Sequence, residues 1–319
     1  MDVDLFLHAS RVVIVAGKGG VGKTTVAAAL ATLAAQRGMR TLLVEVEGKG
    51  GLAGLFGQPP LDYAEAVLSP ATATAAEVRG RTLTPDDALF EYLEAHGLRR
   101  LSRRLVAAGA MDVVATAVPG IKDILVLGKI KQLERGGTTD LIVLDAPAAG
   151  HAITFLTAAR AMLDAVRVGP VNTQARDVLE LLADPTRCSV VLVTLPEETP
   201  VNELVETAFM LEDRVGVNLG PVVVNACYPA LAGIGTDPEA AARAEDTTLR
   251  PGEAEALRAA AAFRRARTDL QAAQISRLAD RLPLPQLHLP FLFRSDLGPP
   301  DVAFLAATLG EQVAAATTA

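Results

Sequence analysis

A buried strand, a glycine loop and a helix in that order leave a chain few folds to adopt, and residues 11–39 supply all three. "RVVIVA" (11–16) is a continuous apolar, β-branched run, the pattern of a strand covered on both faces. "GKGGVGKT" (17–24) follows, and "TTVAAALATLAAQRGM" (24–39) is alanine-rich and helical, closed by Gly38. "RTLLVEVEG" (40–48) is the next strand. Two strands joined through a helix within so short a span form a βαβ unit, and the sheet is therefore parallel.

Four more apolar runs read as strands: "LIVLDA" (141–146), "CSVVLVTL" (188–195), "GPVVVNA" (220–226) and "PQLHLP" (285–290). Helical patterns occupy 150–166, 174–183, 197–213, about 252–281 and about 300–316, while 84–136 holds helices without a buried strand. The expectation is one α/β domain over residues 1–319. It has a parallel sheet flanked by helices and an inserted α-helical subdomain at about 84–136, joined by parts of 150–185.

The loop satisfies the phosphate-binding pattern Gly17-x-x-x-x-Gly22-Lys23-Thr24. Its glycines let the backbone curl so that N–H groups of Gly17, Lys18, Gly19, Gly20, Val21 and Gly22 turn inward on phosphate oxygens. The helix beginning near Lys23 adds the positive end of its dipole. Lys23 then contacts the β- and γ-phosphates, and the Thr24 hydroxyl, followed by Thr25, meets Mg²⁺ and the nucleotide. Lys18, beside the first glycine, is one lysine more than this task needs. The chain has six lysines among thirty basic residues, so their clustering at 18, 23 and 49 and at 122, 129 and 131 points to specific tasks.

"GKGGVGKT" resembles the deviant Walker A motif of the SIMIBI class of P-loop ATPases. That resemblance implies that Lys18 reaches across a dimer interface to the triphosphate held by a facing subunit. A cation there offsets charge developing on the phosphates. "LIVLDAPAAGHAITFL" (141–156) is similar to the switch II segment of the arsenite-pump ATPase ArsA and of the tail-anchored-protein targeting ATPases. The resemblance assigns Asp145 to magnesium through a water, and Gly150 and His151 to the moving part. "TLLVEVEGKGGLAGLFG" (41–57) falls where that family has switch I, with Leu52, Phe56 and Gly57 in register. The water-positioning aspartate of the family falls on Glu47, and its Pro and His on Gly48 and Gly50. Glutamate keeps the carboxylate but lengthens it by a methylene, which implies slow hydrolysis or dependence on a partner. By the same resemblance Asn225 contacts adenine, and Pro290 and Phe291 pack on the base. "VPGIKDILVLGKIKQL" (118–133) and "VTLPEETPVNELVE" (193–206) extend the match over nearly the whole chain. The pattern is most similar to the short, single-domain ArsA-like ATPases of actinobacteria, which occur as paired paralogues.

Departures from the family narrow its cargoes. Cys227 stands alone after Asn225, where the targeting ATPases have Cys-x-x-Cys, and Cys188 and Cys227 cannot rebuild an arsenite site. Both read as small hydrophobes in strands rather than as a disulfide. Net charge of −7 and a pI near 5.2 give no support for binding nucleic acid or anionic membranes. No signal peptide and no membrane-spanning run is recognised, so a cytoplasmic protein is expected. The leading expectation is a Mg²⁺-dependent ATPase with a homodimeric or paralogous heterodimeric partner and an unknown client. The alternative is a slow or inactive nucleotide-gated regulatory or scaffold subunit whose site a paralogue completes. A partitioning ATPase fits less well, because "DVAFLAATLGEQVAAATTA" (301–319) carries no basic membrane-binding face.

Overall fold

The computed structural model describes residues 2–46, 51–95, 97, 120–147 and 149–316. The chain runs α1 (Val3–His8), β1 (Val12–Ala16), α2 (Lys23–Gln36), β2 (Thr41–Val46), α3 (Gly51–Leu55), β3 (Ala66–Ser69), β4 (Val78–Leu83) and α4 (Pro85–Ala95). It continues with α5 (Ile121–Gly136), β5 (Leu141–Asp145), α6 (Ala149–Ala165), α7 (Pro170–Ala183), β6 (Cys188–Thr194) and α8 (Glu198–Val215). The last elements are β7 (Val222–Cys227), α9 (Pro238–Ala244), α10 (Glu253–Arg281), β8 (Gln286–Pro290) and α11 (Pro299–Ala315).

The strands form one eight-stranded sheet in the order β3-β4-β2-β5-β1-β6-β7-β8, parallel except for β3, which runs antiparallel to β4 at one edge. Alternation along the central strands feeds two cores. Val12, Ile14, Leu42, Val44, Ile142 and Leu144 pack beneath α5–α8. Val13, Val15, Leu43 and Val143 pack beneath α2 and α11. Covering both faces explains why these strands read as unbroken apolar runs. The alanines of α2 let it lie close between the sheet and α11: Ala27, Ala28, Ala29 and Ala31 are all fully buried.

The expected fold class is the one observed. Two strands escaped the sequence reading. β4 ("VRGRTL") is polar by composition, yet Arg81 is buried, with its guanidinium 4.4 Å from the centre of the Tyr63 ring. β3 lies in the alanine-rich stretch that carries no strand pattern. Within the expected helical insertion, α4 and α5 are helices, and 98–119 lies outside the described residues. Lys129 pairs with Glu91 of α4 and Lys131 with Asp177 of α7, so two of the clustered lysines clamp neighbouring helices onto α5.

Candidate functional site

β1 lies between β5 and β6, and the chain leaves it toward β2 on one side and later returns to β6 on the other. Such a reversal opens a crevice at the carboxyl ends of the strands, where open α/β sheets bind ligands. The glycine loop fills it. Gly17 has φ +154°, and a Cβ there would sit 2.3 Å from the Val193 carbonyl oxygen of β6. Gly22 has φ +90°, and a Cβ there would sit 2.2 Å from Asn225 Nδ2. Both positions accept only glycine. The same Asn225 amide donates to the Val21 carbonyl at 2.9 Å, so the end of β7 is tied to the loop.

α2 starts at Lys23 with no side-chain cap and no acidic residue in its own first turn, and its positive end faces the crevice. Lys23 is buried and donates to the Lys18 carbonyl at 3.0 Å, spanning the loop. The Thr24 hydroxyl donates to Asp145 Oδ2 at 2.6 Å, which joins the helix start to the end of β5. A hydroxyl and a carboxylate so close make an all-oxygen donor set, the kind a hard divalent cation such as Mg²⁺ prefers. Two cavities meet at Gly20 and Gly22. One, of about 300 Å³, is lined by Gly19, Lys23, Thr24, Glu45 and Asp145. The other, of about 360 Å³, is lined by Thr25, Asn225, Gln271, Pro290 and Phe291. The first holds the charged side chains of Lys23, Glu45 and Asp145; the second has the Asn225 amide and the Phe291 ring, groups suited to a base.

Most of the residues expected from sequence come together here: the loop 17–25, Asp145, Asn225, Pro290 and Phe291. Phe291 packs edge-on against Phe293 (4.7 Å) and lies 5.5 Å from Tyr228, over which the Arg264 guanidinium sits at 4.2 Å. Lys18 is half-exposed and pairs at 2.6 Å with Glu203 of α8, in its own chain. Glu47, Gly48, Lys49 and Gly50 lie outside the described residues, as do the side chains of Gly150 and His151. Among the described residues no group of three or more His, Cys, Asp or Glu side chains is arranged to hold a metal.

Four participants went unnoticed in the sequence. Glu203 and Tyr228 carry no local signal. Glu45 sits in a strand that reads as apolar. Gln271 is one of two buried residues of α10. Its amide donates to the Ala226 carbonyl at 3.2 Å and accepts from the Tyr228 N–H at 2.8 Å. Ala226 itself has φ +58°, a left-handed conformation that costs a non-glycine residue on the order of 1 kcal/mol. Gln271 thus holds the strained, irregular end of β7 directly beyond Asn225. Both cysteines are free. Cys188 is fully buried, while Cys227 is partly exposed rather than buried as expected. Burial pushes the Cys188 thiol up to about 12 and that of Cys227 up to about 11. None of the described helices is long and apolar enough to cross a membrane.

Known proteins resemble this chain in sequence. The chain is 38% identical over 231 residues to the ATPase BagA of Mycobacterium tuberculosis, covering 70% of this chain and 67% of that protein. It is 27% identical over 216 residues to an arsenical pump-driving ATPase of Acidiphilium multivorum, covering 67% of this chain and 34% of the longer relative. The sequence model of the anion-transporting ATPases matches residues 10–169, from just before β1 to just before α7. With a loop that admits only glycine at its two tightest points, a lysine and threonine opening α2, and an aspartate closing β5, this chain belongs to the anion-transporting (ArsA-type) ATPase family.

Proposed function

We propose that the protein is a Mg²⁺-dependent ATPase that works as a dimer, formed with a second copy or a paralogue, and changes conformation with its nucleotide in the cytoplasm. The observation that carries this is the junction of three strand ends at one loop: Lys23 on the loop, Thr24 bonded to Asp145, and Asn225 bonded to Val21. In this reading the loop N–H groups and Lys23 bind the β- and γ-phosphates. Asn225 orients the base while Pro290 and Phe291 cover it. Thr24 and Asp145 would hold magnesium, which would supply positive charge to offset that of the phosphates. Glu47 orients the attacking water. Lys18 leaves Glu203 to meet the triphosphate of the facing subunit. A half-exposed ion pair contributes under about 1 kcal/mol, so phosphates compete for it easily.

Steady-state ATP hydrolysis tests the reading. Turnover should require Mg²⁺, rise more than linearly with protein concentration, and fall at least about a hundredfold in Lys23→Ala and in Lys18→Ala. Lys18→Ala should still bind nucleotide. Turnover that is linear in protein concentration and indifferent to Lys18 refutes the dimeric mechanism. A second reading, a slow subunit completed by a paralogue, draws support from the Lys18–Glu203 pair, which engages the lysine within a single chain. Negligible turnover alone, restored by a paralogue, decides for it. Glu47→Asp then tests whether the added methylene is the defect.

A further inference from the structure

We propose that Glu45 is a second carboxylate of the metal site, accepting a hydrogen bond from the metal's hydration shell beside Asp145. This rests on the nucleotide-binding reading above and deepens it.

Glu45 is the penultimate residue of β2. It is register-paired with Asp145 on β5 and with Thr82 on β4. Paired residues of parallel strands point to the same face. Alternation identifies that face. Leu42, Val44 and Val46 enter the core beneath α5–α8, and Leu43 the core beneath α2, so Glu45 follows Leu43. On β5, Ile142 and Leu144 face the first core and Leu141 and Val143 the second, so Asp145 follows Val143. A polar row Thr82–Glu45–Asp145 therefore crosses three adjacent strand ends on the α2 side, ending where Asp145 meets Thr24. Thr82 donates to Glu45 Oε2 at a long 3.4 Å.

The row lies in the right place for this chemistry. Glu45 is 3% exposed and lines the 300 Å³ cavity with Lys23, Thr24 and Asp145. The fold does not require an acid there: β2 is otherwise apolar after Thr41, and burying a carboxylate is costly. Among the described residues lining the cavity, Glu45 and Asp145 carry negative charge and Lys23 positive charge. A divalent cation reverses that balance and leaves a net positive surface toward the phosphates. Mg²⁺ is commonly held by one or two carboxylates plus substrate phosphates while keeping several waters, and a second carboxylate in hydrogen-bonding range of such a water tunes affinity. Glu45 thereby acts on the metal from the strand that leads into Glu47.

Calorimetric titration of the full chain with ADP, with Mg²⁺ and with EDTA, tests this through the ratio of the two dissociation constants. In Glu45→Gln the gain in affinity conferred by Mg²⁺ should shrink about tenfold or more. In Glu45→Asp, which keeps the charge, part of the gain should persist. In Thr82→Val, which removes the hydroxyl's bonds to Glu45 and to the Leu61 carbonyl but keeps the carboxylate, the gain should remain that of the unaltered chain. An undiminished gain in Glu45→Gln, equal losses in the Gln and Asp variants, or an equal loss in Thr82→Val each overturns the proposal and makes Glu45 structural. If the unaltered chain itself binds ADP no better with Mg²⁺, the underlying nucleotide reading falls as well.

Discussion

At Gly22 two constraints fall on one residue: a left-handed backbone and an amide nitrogen where a side chain would begin. Gly22→Ala should therefore lose nucleotide binding nearly completely, checked with a fluorescent ATP analogue. Asn225→Ala removes the amide that occupies that space and bonds Val21. It should weaken ATP binding about tenfold, on the order of one hydrogen bond plus the loosened loop. The cysteines make a different kind of prediction. Burial raises Cys188 from its ordinary 9.0 to about 12, so the folded state holds its thiol proton where the unfolded chain releases it. The stability this contributes is present below pH 9 and is lost as pH rises toward 12. At pH 8, Ellman's reagent should modify Cys188 at least about a hundredfold more slowly than a free thiol until the protein unfolds. Cys227, less buried, should react sooner.

Helix α10 shows how an element can serve a site while burying little of itself. Its surface is mostly exposed, yet Gln271 reaches in to the Ala226 carbonyl and the Tyr228 N–H. Gln271→Leu should weaken ATP binding roughly tenfold by freeing the strained end of β7 beyond Asn225. Adding Ala226→Gly removes the strain and should recover a measurable part of that loss. Failure of the double variant to recover any affinity would mean that Gln271 acts otherwise than through the strand end. At the start of β6, Arg187 holds Glu134 of α5 at 2.7 Å, with the Glu134 side chain 7% exposed. Glu134 keeps Arg187 charged over a wider pH range by hydrogen bonding and by its charge. Arg187→Met strands a buried carboxylate and should cost about 3 kcal/mol by urea unfolding.

For the molecule as a whole, the reversal of strand order around β1 brings the ends of β2, β5, β6, β7 and β8 to one crevice. Residues more than two hundred positions apart, such as Val21 and Asn225, are bonded there. The Lys18–Glu203 pair sits on the rim of this crevice, each side chain about two-fifths exposed. If the pair restrains Lys18 before it engages a facing subunit, Glu203→Gln should raise ATP turnover about twofold to fivefold, the range a surface pair can account for. Turnover unchanged across protein concentrations would show that the pair exerts no restraint.

Local pattern was enough to reveal the parallel α/β architecture and the glycine loop, and to single out Lys23, Thr24 and Asp145, which the fold brings together. Strand burial, glycine spacing and helix starts are each written within a few residues. Register and burial were not. Whether "VRGRTL" forms a strand depends on Tyr63 covering Arg81. Whether Glu45 faces the site depends on which side of β2 meets α2. Whether Gln271 holds the irregular end of β7 depends on how α10 packs against it. These are contacts between residues distant in the chain, and only packing the sheet and its helices together decides them.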